Sequence, residues 1–309
     1  MKKIFYIAFT LIFAVMFASC DPLVDVKSVG EVVTSADQIN TTITPVMFKT
    51  YKTNKVKVHC TSPVLCQWSG GPTTYISNDT TILLFGKGAQ TVKLTAMAAD
   101  GTQLTKTYSV TVDSMYYPVP KEWGLLCGTG YKTWVWATDV TGTYYPGAAA
   151  GKCYGNGGYL ENNAPGWWTN GLSDLQPLGV ADDEMTFDMN GAANFTLVTG
   201  NTQIDAKGVK KGLQAGTYKG IFSFDMSKTK ATGGTSATGT KTYAIGQLTI
   251  TGATVSLGYQ PNGSGYPAIY TYDILYLNDD VMVLEIPEPG SGDWGTAWFW
   301  VLKRKGFTF

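Results

Sequence analysis

From Tyr131 to Trp168 the chain interleaves aromatic residues (Trp134, Trp136, Tyr144, Tyr145, Tyr154, Tyr159, Trp167, Trp168) with Gly155-Asn156-Gly157-Gly158 and Asn162-Asn163. These residue types together can bind carbohydrate. An exposed ring lies flat against the apolar C–H face of a pyranose, and neighbouring amides and carboxylates hydrogen-bond its hydroxyls. Aromatic side chains supply rigid contact area at low entropic cost, and glycine lets the backbone approach closely. Spacing separates contact residues from core. Trp134 and Trp136 are two apart in a strand-like run, so they share one face and are expected inside. Trp298, Trp300 and Leu302 repeat that pattern. Trp167-Trp168 differs, because Pro165-Gly166 precedes it and Thr169-Asn170-Gly171 follows, which is loop chemistry. Adjacent residues of an extended segment face opposite ways, so at least one of this pair should meet solvent. Tyr154, Asn156 and Tyr159 fall in the same glycine-rich loop, and Trp294 falls in another, Pro289 to Gly295. Trp167, Trp168, Tyr154, Asn156, Tyr159 and Trp294 are the candidate ligand contacts.

Catalysis and metal binding have weaker support. Glycoside hydrolysis needs two carboxylates at a defined separation. The acidic clusters are Asp182-Asp183-Glu184, Asp279-Asp280 and Glu285 with Glu288. The first precedes a strand and the second sits in a hairpin turn, where acids are ordinarily solvated. Glu285-Ile286-Pro287-Glu288 does not reproduce the ExDxxE arrangement of jelly-roll glycosidases. No catalytic residue is assigned. His59 is the sole histidine, which removes His-based zinc sites and most nucleophile–His pairs. No DxDxD loop is present, and neither metal nor cofactor is expected. Arg304 is the sole arginine and the formal net charge is zero, so nucleic acid is not an expected partner.

Residues 1–19 read as a leader. Lys2 and Lys3 precede an apolar run, Ile4 to Phe17, broken at Thr10 and too short to span a bilayer comfortably. Phe17-Ala18-Ser19-Cys20 resembles the lipobox of bacterial lipoproteins. The resemblance implies cleavage before Cys20, acylation of Cys20, and anchorage to the outer membrane through lipid. Residues 20–28 then form a lipidated tether. Four cysteines remain: Cys60, Cys66, Cys127 and Cys153. Four cysteines allow three pairings. Their grouping points to Cys60–Cys66 and Cys127–Cys153, one bridge per module; four buried, reduced thiols is the other reading. Val56, Val58 and Cys60 share a strand face, as do Cys66 and Trp68, so the first two thiols meet in one core if both faces point inward.

The chain is expected to be all-β. Residues 29–115 carry short alternating strands separated by Ser69-Gly70-Gly71-Pro72, Asn78-Asp79, Gly86-Lys87-Gly88 and Asp100-Gly101, the pattern of a β-sandwich. Residues 116–120, Tyr-Tyr-Pro-Val-Pro, read as an extended linker holding two modules apart. Residues 121–309 carry nine further strand candidates, including 131–137, 184–189, 253–259 and 296–304. That number fits a jelly roll or a calycin-like barrel. No stretch shows a helical period over eleven or more residues.

Val56–Cys60, Cys66–Gly71, Val92–Ala98 and Thr107–Val112 resemble PKD-like, immunoglobulin-type modules of bacterial surface proteins; Trp68-Ser69-Gly70-Gly71 lacks the acidic residue usual in the PKD signature. WVWATD at 134–139 and YGNGGYLENNAPGWW at 154–168 resemble the C-terminal module of lipoproteins from glycan-utilisation systems of gut Bacteroidota. Ala137 stands where the WVWDxD pattern has its first Asp, and Asp139 remains. The resemblance implies a non-catalytic, cell-surface protein that captures polysaccharide for an outer-membrane glycan transporter complex. A structural or adhesive envelope lipoprotein, pairing through strand edges, and a β-sandwich glycoside hydrolase are the alternatives.

Overall fold

The computed structural model describes residues 32–142, 147–200, 215–231, 243–258 and 269–309. The leader, the tether with Cys20, and Tyr144 and Tyr145 lie outside them. Among the described residues, no helix is long and apolar enough to cross a membrane.

The N-terminal module contains seven strands: β1 (Thr41–Phe48), β2 (Tyr51–Cys60), β3 (Leu65–Ser69), β4 (Thr74–Ile76), β5 (Asp79–Leu83), β6 (Gly88–Met97) and β7 (Gln103–Val112). They form two sheets, ordered β1-β2-β5 and β4-β3-β6-β7. Alternation decides which face is inside: Val56, Val58 and Cys60 from one sheet meet Cys66, Trp68, Val92 and Leu94 from the other in a single core. Trp68 is fully buried and donates its indole N–H to the Ser77 carbonyl at 3.0 Å. Asp100-Gly101 makes the expected hairpin, with Gly101 at φ 87° and the Asp100 carboxylate accepting from Thr102 N at 2.9 Å.

Residues 116–120 do not hold the modules apart. Asn54, buried in β2, clamps Tyr117 by accepting from its N–H at 2.8 Å and donating to its carbonyl at 2.9 Å. Just beyond β5, Phe85 packs edge-on against Trp123 at 5.7 Å and belongs to the core of the second module. An apolar ring shared across the junction fixes the two modules more firmly than a proline spacer would.

The second module begins with a short helix, α1 (Lys121–Cys127), and adds a second, α2 (Leu172–Leu178). Seven residues each are too few to show a period in sequence. Its strands are β8 (Tyr131–Trp136), β9 (Tyr154–Gly158), β10 (Trp168–Asn170), β11 (Glu184–Asp188), β12 (Asn194–Thr199), β13 (Gly216–Asp225), β14 (Lys230–Ala231), β15 (Tyr243–Ala244), β16 (Gly246–Thr251), β17 (Ile269–Leu277), β18 (Val281–Pro287) and β19 (Thr296–Arg304). Strands β8-β11-β12-β13-β16-β17-β18-β19 pair antiparallel in that order, and β19 returns to β8 through Leu302↔Trp136 and Arg304↔Trp134. The result is a barrel-like sheet of eight strands in chain order, whereas a jelly roll crosses between two sheets. β9 and β10 branch from β19 as an extra flap.

A barrel of this size has an interior that side chains just fill. Here the filling is aromatic: Trp134, Trp136, Phe187, Phe195, Tyr272 and Trp300 are all fully buried. A buried indole needs an acceptor. Trp134 donates to Leu126 O of α1, Trp136 to Val180 O and Trp300 to Ser256 O, each at 2.9 Å. The Ser256 carbonyl comes from a segment expected to be a strand. Residues 253–258 instead turn inward after Gly252, at φ 81°, and plug the barrel. Asp183, expected in solvent, is buried there. It accepts from Ser256 Oγ at 2.5 Å and Gly200 N at 3.0 Å, and burial pushes its carboxyl up.

Candidate functional site

The flap β9–β10 carries the aromatic candidates. β9 pairs with β19 through Tyr154↔Trp300 and Asn156↔Trp298, and β10 pairs with β9 through Trp168↔Asn156. Residues opposite one another share a face, so Trp168, Trp298, Tyr154 and Trp300 form one train of rings. Trp168 stands edge-on to Trp298 at 5.9 Å and to Tyr154 at 6.2 Å. Tyr154 stacks on Trp298 at 5.6 Å and touches Trp300 at 5.8 Å. The train runs from the sealed barrel out to solvent and ends on Trp168, which is 48% exposed. Its neighbour Trp167 is 56% exposed.

The other candidates divide. Tyr154 and Tyr159 are 4% and 7% exposed, so neither presents a ring to solvent. Most of the glycine-rich stretch that reads as a loop is strand β9, with Tyr159 in the turn after it, and both tyrosines pack rather than protrude. Asn156 is half-buried and positions the pair. Its carbonyl accepts from Gly166 N and Trp167 N, and its Oδ1 accepts from Trp168 N, all at 3.0 Å. Glycine at 155 is required sterically, since a Cβ there would lie 1.9 Å from the Trp168 carbonyl oxygen. Trp294 is half-buried at φ 68°, on a loop fastened to Tyr159 by Trp294 N to Tyr159 O at 3.0 Å and Tyr159 N to Gly295 O at 2.6 Å. The fold therefore brings Trp167, Trp168, Tyr154 and Asn156 onto one flap, with Tyr159 and Trp294 at its far end.

The opposite face of the same sheet holds a polar cluster that sequence reasoning did not find. Asp273 of β17 and Glu285 of β18 are cross-strand partners, and both are buried. Cross-strand Cβ atoms lie about 5 Å apart. Asp273 accepts from Tyr159 Oη at 2.8 Å, Lys230 Nζ at 2.9 Å and Gln247 Nε2 at 3.0 Å. Glu285 Oε1 accepts from Leu160 N at 2.9 Å, while Oε2 is buried with no hydrogen-bond partner. Burial, then the Asp273 carboxylate, push Glu285 well above the usual carboxylate range, opposed by the Leu160 N–H and Lys230. Burial and the bond to Asp273 likewise raise the Tyr159 phenol. A single charged residue inside the apolar run Ile269–Leu277 was the available signal.

The four cysteines of the described residues are free and buried. Cys60 and Cys66 face each other across the N-terminal core, within hydrogen-bonding reach, and burial pushes Cys66 up to about 12. Cys127 and Cys153 do not meet. Cys127 is the last residue of α1, near Lys132 and Asp188, whereas Cys153 precedes β9 near Lys152, Asp139 and Asp174. The Cys127–Cys153 pairing is therefore corrected, because grouping in sequence did not predict that α1 and the start of β9 lie apart. Among the described residues, no group of three or more His, Cys, Asp or Glu side chains is placed to hold a metal ion.

No protein-family model matches the chain, and no curated protein matches it.

Proposed function

We propose that the protein is a non-catalytic, lipid-anchored surface protein that captures polysaccharide, with Trp167 and Trp168 as its contact platform. One observation carries the reading: Trp168 is half exposed yet held edge-on by Trp298 and Tyr154. A ring fixed in advance loses little freedom on binding, which is where flat carbohydrate contacts gain affinity. Cys20 supplies the outer-membrane anchor, and a PKD/Ig-like module followed by a calycin-like barrel is the arrangement this reading assigns. The N-terminal module is the spacer. Asn40 and Thr61 lie at one end of β1–β2, while Asn54, which clamps Tyr117 of the junction, and Phe85, which meets the barrel, lie towards the other. β1 has eight residues, a separation of roughly 25 Å. Handing the captured glycan to an outer-membrane transporter is the natural role for such a reach.

The Asp273–Glu285 pair favours this reading over a hydrolase. It sits on the face away from Trp168, both carboxyls are buried beneath Tyr159 and Leu160, and Asp273 is committed to Tyr159, Lys230 and Gln247. Affinity electrophoresis through gels containing neutral plant and host polysaccharides tests the proposal. Wild-type protein should be retarded by at least one glycan, and the double variant Trp167→Ala/Trp168→Ala should migrate freely while remaining folded, with a cooperative urea transition. A folded wild type that is unretarded across the panel overturns it.

A further inference from the structure

A cleft of about 660 Å³ opens where the two modules meet, within the size range of small-ligand sites, which favour domain junctions. The N-terminal module lines it with Lys87 and Gln90, and the barrel with Tyr131, Lys132, Arg304 and Lys305. Two hydrogen bonds fix the walls relative to each other: Lys87 N to Thr129 O at 3.2 Å and Thr91 N to Asn190 Oδ1 at 2.7 Å.

Tyr131 is 72% exposed, the most exposed large apolar side chain among the described residues. The reason is alternation. Trp134 and Trp136 of β8 point into the barrel, so Tyr131 and Thr133 point out. The charge lining the cleft is lopsided, with four cations against the single carboxylate of Asp188. Three of the cations have acidic partners: Arg304 with Asp280 at 2.7 Å, Lys132 with Asp279 at 3.8 Å, and Lys305 with Glu184. None of those three acids lines the cleft. Lys87 has no ion-pair partner among the described residues. Lys132 is buried and donates to Leu125 O at 2.5 Å and Asp279 O at 3.0 Å, so it contributes field rather than contact. Gln90 spends its Nε2 on Lys87 O and Ala89 O, which turns Oε1 away from them, and that oxygen is buried with no donor.

We propose that this cleft is a second saccharide subsite and that it takes an acidic sugar, a uronate or a sulfated residue. The pyranose lies on Tyr131, and its carboxylate or sulfate is met by Lys87, Lys305 and the outer edge of the Arg304 guanidinium. The exposed Asn190 side chain stands at a hydroxyl position. Aromatic stacking supplies orientation and the cations supply selection for charge. The inference extends the glycan reading but shares no residue with the Trp167–Trp168 platform, so the two fail separately.

Affinity electrophoresis of the whole mature protein in polygalacturonate and in chondroitin sulfate, beside the neutral panel, decides it. Wild type should be retarded by at least one acidic polymer. Tyr131→Ala should weaken that retention about tenfold, the upper range for one aromatic contact. Lys87→Ser should weaken it and flatten its dependence on salt, and neither change should alter retention by a neutral glycan. Tyr131 and Lys87 are exposed, so both variants should fold as wild type does, checked by their urea midpoints. Three results overturn the proposal: no retention by either acidic polymer; retention that Tyr131→Ala leaves intact, which is mere ion exchange; or acidic retention abolished by Trp167→Ala/Trp168→Ala alone.

Discussion

Trp300 and Trp168 belong to one train of rings and differ in everything that determines a tryptophan's role. Trp300 sits in the closed barrel, fully buried, with its indole N–H committed to Ser256. Trp168 sits at the rim of the flap, half exposed, touching the train only by its edge. Both are on strands and both neighbour Tyr154. What separates them is the number of strands beyond: β19 is flanked on both sides, whereas β10 is an edge. A strand edge that ends on a rigid aromatic core can present a ring to solvent without letting it move. The two faces of the sheet differ similarly, since the inner face stores aromatic rings and the outer face stores the Asp273–Glu285 pair.

The comparison is most exposed to failure at Trp300. Replacing it with Ala should cost about 3–5 kcal/mol, read from urea unfolding, because a large void forms and the Ser256 carbonyl loses its donor. A loss no greater than that of Trp168→Ala would erase the distinction drawn above. Asp273→Ala comes next, at about 2–3 kcal/mol. It leaves the buried Tyr159 O–H without its acceptor and removes one from the half-buried Gln247 amide, while Lys230, 40% exposed, can turn to water. A neutral result would mean that the outer cluster is not a structural tie.

Glu285→Gln tests the same cluster through pH. The native carboxyl is raised above its unfolded value, so the folded state holds the proton over a window that opens near the usual Glu value and extends upward. Stability from this group is present below that window and is lost as pH rises through it. The Gln variant keeps an acceptor for Leu160 N but cannot ionise, so it should gain on wild type steadily as pH rises from 4.5 towards neutrality. Parallel pH profiles for the two proteins would show that Glu285 is not desolvated as described. Trp168→Ala should then lower the unfolding free energy by no more than about 1 kcal/mol, the scale of one exposed aromatic contact, while removing retention by glycan. Smallest of all is the response of the thiols. Native protein treated with iodoacetamide should keep Cys60, Cys66, Cys127 and Cys153 unlabelled, since all four are buried out of the reagent's reach. Mass spectrometry before and after reduction should never show a four-hydrogen difference, because Cys127 and Cys153 do not meet.

Period-two alternation made the closed barrel legible. Trp134 with Trp136, and Trp298 with Trp300, show two-residue spacing, and all four lie inside. Loop chemistry around Trp167-Trp168 likewise pointed to exposure, and both rings are exposed. The strand Tyr154–Gly158 was not legible. Its sequence, Tyr-Gly-Asn-Gly-Gly, has no intrinsic strand preference, and it is extended because β19 and β10 lie on either side of it. Residues 253–258 fail in the opposite sense, since their alternation describes a strand that the turn at Gly252 directs into the barrel mouth. Asp183 read as one of an acidic cluster and Asp273 drew no attention, because nothing in a linear reading places Ser256, Tyr159 or Lys230 against them.

By itself the sequence determined a β-rich chain, the faces of its alternating strands, its aromatic cores, and that at least one of Trp167 and Trp168 meets water. Those follow from short-range rules, in which each residue's neighbours two places away decide its side. Only the tertiary structure decided that β8 closes on β19, that Phe85 joins the far core, and that Tyr131 faces a basic cleft. These depend on contacts between residues far apart in the chain, and local alternation carries no information about which strand will lie next to which.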